Sequence, residues 1–439
     1  MKTNINIQKY PAYKASGVEW LGDVPEHWEA VSLGSLMELK SDKNHPDYEV
    51  LSVYREYGVI KKDSRDDNHN ATSLDTSNYK AVEPGDLVVN KMKTWQGSMG
   101  ISPYKGIVSP AYITCKITSK EVVSEYLHRL LRSNLYIGEY NRISYGVRVG
   151  QWDMHFEDFK RVTVLVPPLA EQTAIAIFLD TKTVQIDKAI AIKVKQIELL
   201  KERRQILIHR AVTRGLDPHV KLKDSGVEWI GEIPESWEVK RLRYLADCFP
   251  SNVDKHSKEN EIKVRLCNYT DVYKNDFITD DMDLMIATAT NDQIRKFTLK
   301  KGDVVITKDS EAASDIAVPA YVTENLTNVI CGYHLAVIRP NQGIDGKYLF
   351  RAFQCKVFNA QFEVCSNGIT RVGLGNSDLK KGQFSVPPFN EQLAISEYIE
   401  TSNTKLSIAI SIKEKEIEKL KEYKSVLIDS VVRGKVRVG

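Results

Sequence analysis

At 439 residues, with 42% hydrophobic residues and no low-complexity tract, the chain can bury more than one core, and two or three domains are expected. A formal net charge of +3 is too small to mark a nucleic-acid surface by itself, so any such surface must come from local clustering of charge. The opening segment MKTNINIQKYPAYKASG has no apolar signal core and no run approaches the length of a membrane span, so a cytoplasmic protein without membrane contact is expected.

Six cysteines (Cys115, Cys248, Cys267, Cys331, Cys355, Cys365) show no Cys-x-x-Cys pair and no histidine at metal spacing, which reads as free, mostly buried thiols. In chain order, the first distinctive phrase is Ser16-Gly-Val-Glu-Trp-Leu-Gly-Asp-Val-Pro-Glu-His-Trp-Glu29. It returns as Ser225-Gly-Val-Glu-Trp-Ile-Gly-Glu-Ile-Pro-Glu-Ser-Trp-Glu238, identical at ten of fourteen positions, which marks a duplication. Trp20, Trp28, Trp229 and Trp237 in these phrases either anchor a partner or pin the chain against its helices, and packing is the favoured reading.

More of the repeat follows at drifting offsets. Pro84-Gly-Asp-Leu-Val-Val-Asn-Lys91 answers Lys301-Gly-Asp-Val-Val-Ile-Thr-Lys308, Arg148-Val-Gly150 answers Arg371-Val-Gly373, and Val166-Pro-Pro-Leu-Ala-Glu-Gln172 answers Val386-Pro-Pro-Phe-Asn-Glu-Gln392. The drift places insertions in the middle of each copy. Strands are expected at Leu87 to Asn90, Val162 to Val166 and Val304 to Thr307, and helices at Ser124 to Arg132 and Lys347 to Phe358.

After each Pro-Pro the pattern becomes helical. Ile186, Ile190, Val194, Ile197, Leu200, Leu207 and Ala211 recur at steps of three and four, and from Thr183 to Arg214 there is neither Gly nor Pro. An unbroken helix over that span would run about 48 Å at 1.5 Å per residue. Its stripe is that of a coiled-coil seam, and Leu406, Ile410, Ile417, Leu420, Leu427 and Val431 repeat it 220 residues later, so the chain carries its own partner helix. The expected fold is α+β: two duplicated mixed α/β domains separated by two long helices that form a coiled coil.

Motifs for chemistry are absent. There is no His-Glu-x-x-His and no Gly-x-Ser-x-Gly; Gly368 to Gly375 lacks the Lys-Ser/Thr of a phosphate loop, and Glu238-Val-Lys240 and Glu261-Ile-Lys263 lack a counterpart in the first copy. No catalytic residue, cofactor or metal site is expected. The positive signal is charge placement: Leu87 to Lys120 holds five lysines and no acid, although Ala30 to Val166 as a whole has 18 basic against 17 acidic residues. Asn141 to Trp152 and Val364 to Ser377 are also acid-free and rich in Gly, Asn and Arg. Lys and Arg neutralise phosphates while Arg, Asn and Gln reach base edges, so the candidate DNA-binding residues are Lys91, Lys93, Gln96, Ser98, Arg142, Tyr145, Arg148 and Gln151 in the first copy. In the second they are Lys308, Asn367, Thr370, Arg371 and Asn376. The competing reading is a solvated lysine face with Trp95 in the core. A basic excess of five on the helix from Asp187 to Arg214 faces DNA, an acidic partner or only solvent.

The doubled Ser-Gly-Val-Glu-Trp phrase, the doubled Pro-Pro-x-x-Glu-Gln helix and the two dissimilar segments between them resemble the specificity subunits of type I restriction-modification systems. The resemblance covers the whole chain. It implies a first target recognition domain over 1–170, a central spacer helix over 171–215, a second recognition domain over 216–390 and a distal spacer helix over 391–439, the two helices pairing as an antiparallel coiled coil. It further implies a non-catalytic subunit that reads a bipartite site on double-stranded DNA, with two methyltransferase subunits and restriction subunits as partners. A coiled-coil scaffold that binds protein, and a chain carrying its own nuclease centre, are the alternatives. Cleavage by this chain alone with Mg²⁺ would mark the second, and loss of salt-dependent DNA affinity in the complex the first.

Overall fold

The computed structural model describes residues 8–64, 75–146 and 152–438. The chain divides into two compact units, Met1–Val194 with Glu414–Gly439, and Lys195–Lys413. Each long helix contributes one half to each unit: the central helix runs Leu169–Arg214 and the distal helix Phe389–Val432.

Both helices begin directly after the second proline of the repeated Pro-Pro. Proline cannot donate to a strand ladder, so Thr163–Val166 and Gln383–Val386 end there, and the Pro168 and Pro388 carbonyls accept from the Glu and Gln amides that follow. Gly215 (φ +74°) and Gly434 (φ +68°) sit just beyond the helix ends in the left-handed region that favours glycine.

Within the first unit the helix halves run antiparallel. Lys424 Nζ pairs with Asp187 at 2.7 Å and Lys193 Nζ with Glu416 at 2.6 Å, so the partner number falls as the central-helix number rises. Ile186, Leu427, Val431 and Val432 join the core of that unit. In the second unit Arg204 Nη2 donates to Ser407 at 2.5 Å, and Ile208, Ala211 and Val212 share a core with Ile395 and Ile399. Of the expected distal seam, Leu406, Ile410, Ile417, Leu427 and Val431 are buried and Leu420 is half-buried. The central seam is less covered than expected: Ile186 and Ala211 are buried, Ile190, Ile197, Leu200 and Leu207 are half-buried, and Val194 is 43% exposed beside half-buried Lys193, whose ammonium reaches Glu416.

The body of the first unit is an antiparallel four-stranded sheet in the order Met37–Lys40, Tyr112–Ile117, Leu87–Asn90, Met99–Ile101. Helices Ser124–Leu131 and Asn134–Ile143 follow it, and Thr163–Val166 pairs with Glu29–Ser32, the strand that begins at the last residue of the entry phrase. The second unit repeats this order as Ala246–Pro250, Leu335–Pro340, Val304–Thr307, Pro319–Val322, adds a parallel edge strand at Phe277–Ile278, and carries a further sheet of Met285–Ala289, Ile262–Cys267 and Val329–Cys331. The mid-copy insertions are therefore real elements. The single helix expected over Lys347 to Phe358 is two, Gly346–Gln354 and Lys356–Cys365, because buried Cys355 takes an extended ψ of 116° and turns the chain between them.

The repeated motifs make the same contacts in both units. Trp28 Nε1 donates to Glu171 at 3.1 Å, and Trp237 Nε1 to Glu391 at 3.0 Å, with both indoles fully buried. These two tryptophans pin the entry phrase to the helix start, while Trp20 packs edge-on against Tyr136 and Trp229 against Phe358. In the Pro/Lys-Gly-Asp turn, Gly85 and Gly302 have φ of +94° and +93°, and Asp86 and Asp303 are buried. Asp86 accepts from the Glu83 amide and from Lys40; Asp303 accepts from the Lys300 amide and from both arms of Arg339. An ion pair ties one short helix of each unit to a long helix: Arg129 of Ser124–Leu131 to Asp180, and buried Arg351 of Gly346–Gln354 to Glu400 at 2.7 Å. Five cysteines are buried, Cys365 is exposed, and all six are free.

Candidate nucleic-acid interface

In each unit a lysine directly follows a strand, Lys91 after Leu87–Asn90 and Lys308 after Val304–Thr307, and a later segment is laced onto it. In the first, Met154 N–H donates to the Lys91 carbonyl at 2.9 Å, and Tyr145 and Asp153 exchange backbone hydrogen bonds of 3.1 and 3.0 Å. In the second, Leu374 N–H donates to the Lys308 carbonyl at 2.9 Å, and Asn367 and Gly373 exchange bonds of 3.1 and 2.9 Å. The repeat therefore extends to the backbone frame of the loops.

The side chains on these frames differ. In the first unit Trp95 meets Trp152 edge-on at 5.3 Å, its Nε1 donates to the Met92 carbonyl, and Tyr145, 56% exposed, stacks on His155 at 4.9 Å. Trp95 is thus half-buried on a second indole rather than in the core. In the second unit Lys308 Nζ meets Asp309 Oδ2 at 2.6 Å, His334 Nδ1 meets the same oxygen at 3.1 Å, and Arg371 Nη1 lies 3.2 Å from His334 Nε2.

The structure gathers Lys91, Lys93, Gln96 and Tyr145 around the first frame, where Lys93 is exposed and Gln96 half-buried. Ser98 is buried, its N–H donating to the Lys93 carbonyl and its carbonyl accepting from Asn90, so it shapes the turn. Arg142 is exposed on its helix and forks onto Glu139 with two 2.7 Å bonds. Arg148 and Gln151 lie outside the described residues. In the second frame Asn367, Thr370, Arg371 and Asn376 are exposed, whereas Lys308 is mostly covered.

The run of lysines is less free in space than in sequence. Lys91 pairs with Asp153 at 3.4 Å, and Lys105 pairs with Glu83 at 3.2 Å while its ammonium lies over the Tyr48 ring. On the central helix Lys193, Lys195, Arg204 and Arg214 have partners at Glu416, Glu198, Ser407 and Glu232. Glu261 accepts from Thr288, and Glu238 pairs with Lys240. Among the described residues no three His, Cys, Asp or Glu side chains are grouped to hold a metal ion, and no helix is long and apolar enough to cross a membrane.

The model of the type I restriction modification DNA specificity domain matches the chain twice, over residues 25–201 and 234–422. The chain belongs to the type I restriction-modification specificity family. Among its relatives, the MjaVIII type I restriction enzyme specificity subunit of Methanocaldococcus jannaschii is 23% identical over 94% of both chains. The EcoKI specificity subunit of Escherichia coli K12 is 22% identical over 73% of this chain and 68% of its own. A solved chain from work on complex assembly and conformational transition of the type I R-M system superposes with a TM-score of 0.72 at 14% identity, covering 94% of this chain and 99% of its own. The HsdS subunit from Thermoanaerobacter tengcongensis gives 0.55 at 15% identity, over 94% and 98%. The two family-model matches each begin within the repeated entry phrase and end inside a Pro-Pro-x-x-Glu-Gln helix, the motifs that carried the resemblance.

Sequence reasoning missed His334, Tyr333 and Asp309 as parts of the second site. Asp309 stands out in the sequence only as an acid where the first copy has none, and His334 reaches it from the turn before a neighbouring strand, 25 positions away.

Proposed function

We propose that this family member reads a bipartite site on double-stranded DNA, one half per unit, and directs methylation by two methyltransferase subunits and cleavage by restriction subunits while contributing no catalytic group itself. The observation that carries this reading is one backbone frame built twice, Lys91 with Met154 and Lys308 with Leu374, furnished with different polar side chains. A duplicated frame with divergent loops is what two different half-sites require, because phosphate contacts position a protein whereas base-edge contacts specify sequence. The Lys91, Lys93 and Gln96 edge supplies cations and an amide in the first unit; the hairpin around Arg371 supplies them in the second.

The test exchanges Ala30 to Val166 for the corresponding segment of a relative and sequences the methylated motif in cells. One half of the motif is expected to change and the other to stay. A swap that altered both halves, or neither, would overturn the assignment of one half-site to each unit.

A further inference from the structure

The second frame carries a closed hairpin with a single self-consistent proton arrangement behind it. The Asn367–Gly373 bridge encloses Gly368 to Val372, and Asp309–Ser310 pairs with Val372–Gly373, so the hairpin base is fixed to the strand end. Gly368 has φ +145°, and a Cβ there would fall 1.9 Å from the Arg371 carbonyl, so the tip tolerates only glycine. Ile369 at the tip is fully exposed, and Thr370 and Arg371 are exposed beside it.

A guanidinium has donors only, so the 3.2 Å contact from Arg371 Nη1 requires a lone pair on His334 Nε2. The imidazole proton then sits on Nδ1, where the Asp309 carboxylate accepts it at 3.1 Å. Asp309 is held in turn by Lys308 at 2.6 Å, and the Tyr333 ring covers His334 edge-on at 4.5 Å. Arg371 is engaged through Nη1, which leaves its Nε and Nη2 edge without a protein partner among the described residues.

Building on the DNA-reading role proposed above, we propose that Arg371 reads a guanine of the second half-site through its Nε–Nη2 edge, and that the Asp309–His334 pair is the positioning device that presents it. The free edge offers two parallel donors, which match guanine O6 and N7; adenine would set its N6 donor against one of them. A phosphate would also accept that fork, but the tip bears fully exposed Ile369 two residues away, an apolar group that gains nothing against phosphates and fits the base edges on the groove floor. Holding a long side chain in its bound geometry beforehand reduces the freedom lost on binding, which is the service the pair performs.

The full chain assembled with its methyltransferase subunits is tested by sequencing the methylated motif and by binding to duplexes varied at each position. R371K keeps the charge and loses the fork; discrimination at one G·C pair of the second half-site should fall by about 5- to 150-fold, with the salt slope and the first half-site unchanged. H334F should relax the same pair to a smaller degree and add nothing in the R371K background. An unchanged motif in R371K overturns the proposal, as does a uniform loss of affinity in R371A with the salt slope reduced by about one, which would make Arg371 a phosphate contact. Relaxation by H334F at a different pair, or additively, overturns the positioning role. Exchange of residues 239–386 for a relative's segment separates the two levels. If that exchange leaves the second half-site unchanged, the DNA-reading role itself fails; if it changes the half-site while R371K does not, only the Arg371 assignment falls.

Discussion

Lys91 and Lys308 follow equivalent strands and accept the same backbone hydrogen bond, yet one faces a loose acid and the other is locked. Lys91 meets Asp153 at 3.4 Å with both groups substantially exposed, so its ammonium is free to exchange that partner for a phosphate. Lys308 meets Asp309 at 2.6 Å with both groups mostly covered, and the same carboxylate holds His334. The first loop is built as a cationic edge with exposed aromatic surface, the second as a hydrogen-bonded relay. Duplication kept the frame, and what diverged is how much each basic side chain is constrained before DNA arrives.

The largest expected effects test the shared frame. Asp303→Ala strips both bonds from Arg339 in a buried turn and should cost the second unit about 3–5 kcal/mol, whereas Asp86→Ala, which loses one lysine contact, should cost the first about 1–3 kcal/mol. Denaturant titration with hydrogen exchange resolved by segment would show the order, and equal losses would remove the asymmetry. Next come the two helix-start carboxylates. Glu171 accepts from Trp28 and Tyr10 and meets His27 at 2.9 Å, while Glu391 accepts only from Trp237 among the described residues. Glu171→Gln should therefore destabilise its unit more than Glu391→Gln does, each by about 1–3 kcal/mol, measured in the same way.

A third expectation concerns acid. Burial, then the charges of Arg132 and Arg129, push the His128 imidazole from its ordinary 6.5 down to about 3. A lowered folded value means that the unfolded chain takes up the proton first. The contribution is complete above about pH 6.5 and fades as pH falls toward 3, by at most about 1.4 kcal/mol per pH unit. The position before the ion-paired arginine in the second unit is Phe350, which cannot titrate. Acidification from pH 7 to 5 should thus raise exchange in the first unit selectively, and His128→Phe should reduce that pH dependence; an unaltered profile would place the acid-sensitive group elsewhere.

The smallest effects sharpen the loop comparison directly. Lys91→Ala and Lys93→Ala should each weaken binding across all sequences and lower the salt slope by about 0.9, while Lys308→Ala should lower it less because Asp309 already neutralises that ammonium. Gln96→Ala should relax choice at one base pair of the first half-site. Duplex-binding isotherms at several salt concentrations distinguish these patterns.

Much of the frame was legible because the repeat placed it twice. The Trp-rich phrase and the Pro-Pro-x-x-Glu-Gln run are contact partners, Trp28 with Glu171 and Trp237 with Glu391, so their joint recurrence encoded one interaction. Val194 fits the apolar spacing yet is exposed, because spacing alone does not show which neighbour, here half-buried Lys193 paired with Glu416, lies against the other helix. The break at Cys355 was hidden because the apolar pattern continues through it. The loops were legible in composition only: an acid-free run in sequence is not acid-free in space, since Glu83 folds back onto Lys105 and Asp153 onto Lys91. His334 escaped notice because its partners come from other elements.

The glutamine of each helix start has a consequence for how such chains diversify. Gln172 donates to the Pro167 and Glu121 carbonyls and accepts from the Val123 amide, and Gln392 does the same with the Pro387 and Gly343 carbonyls and the Asp345 amide. Every one of these partners is a main-chain atom, so the socket is indifferent to the side chains that occupy it. A recombination event that joined a foreign segment at the entry phrase and at the Pro-Pro would inherit a working attachment without any compensating substitution. In the protein the two glutamines thereby act as a joint that grips backbone alone.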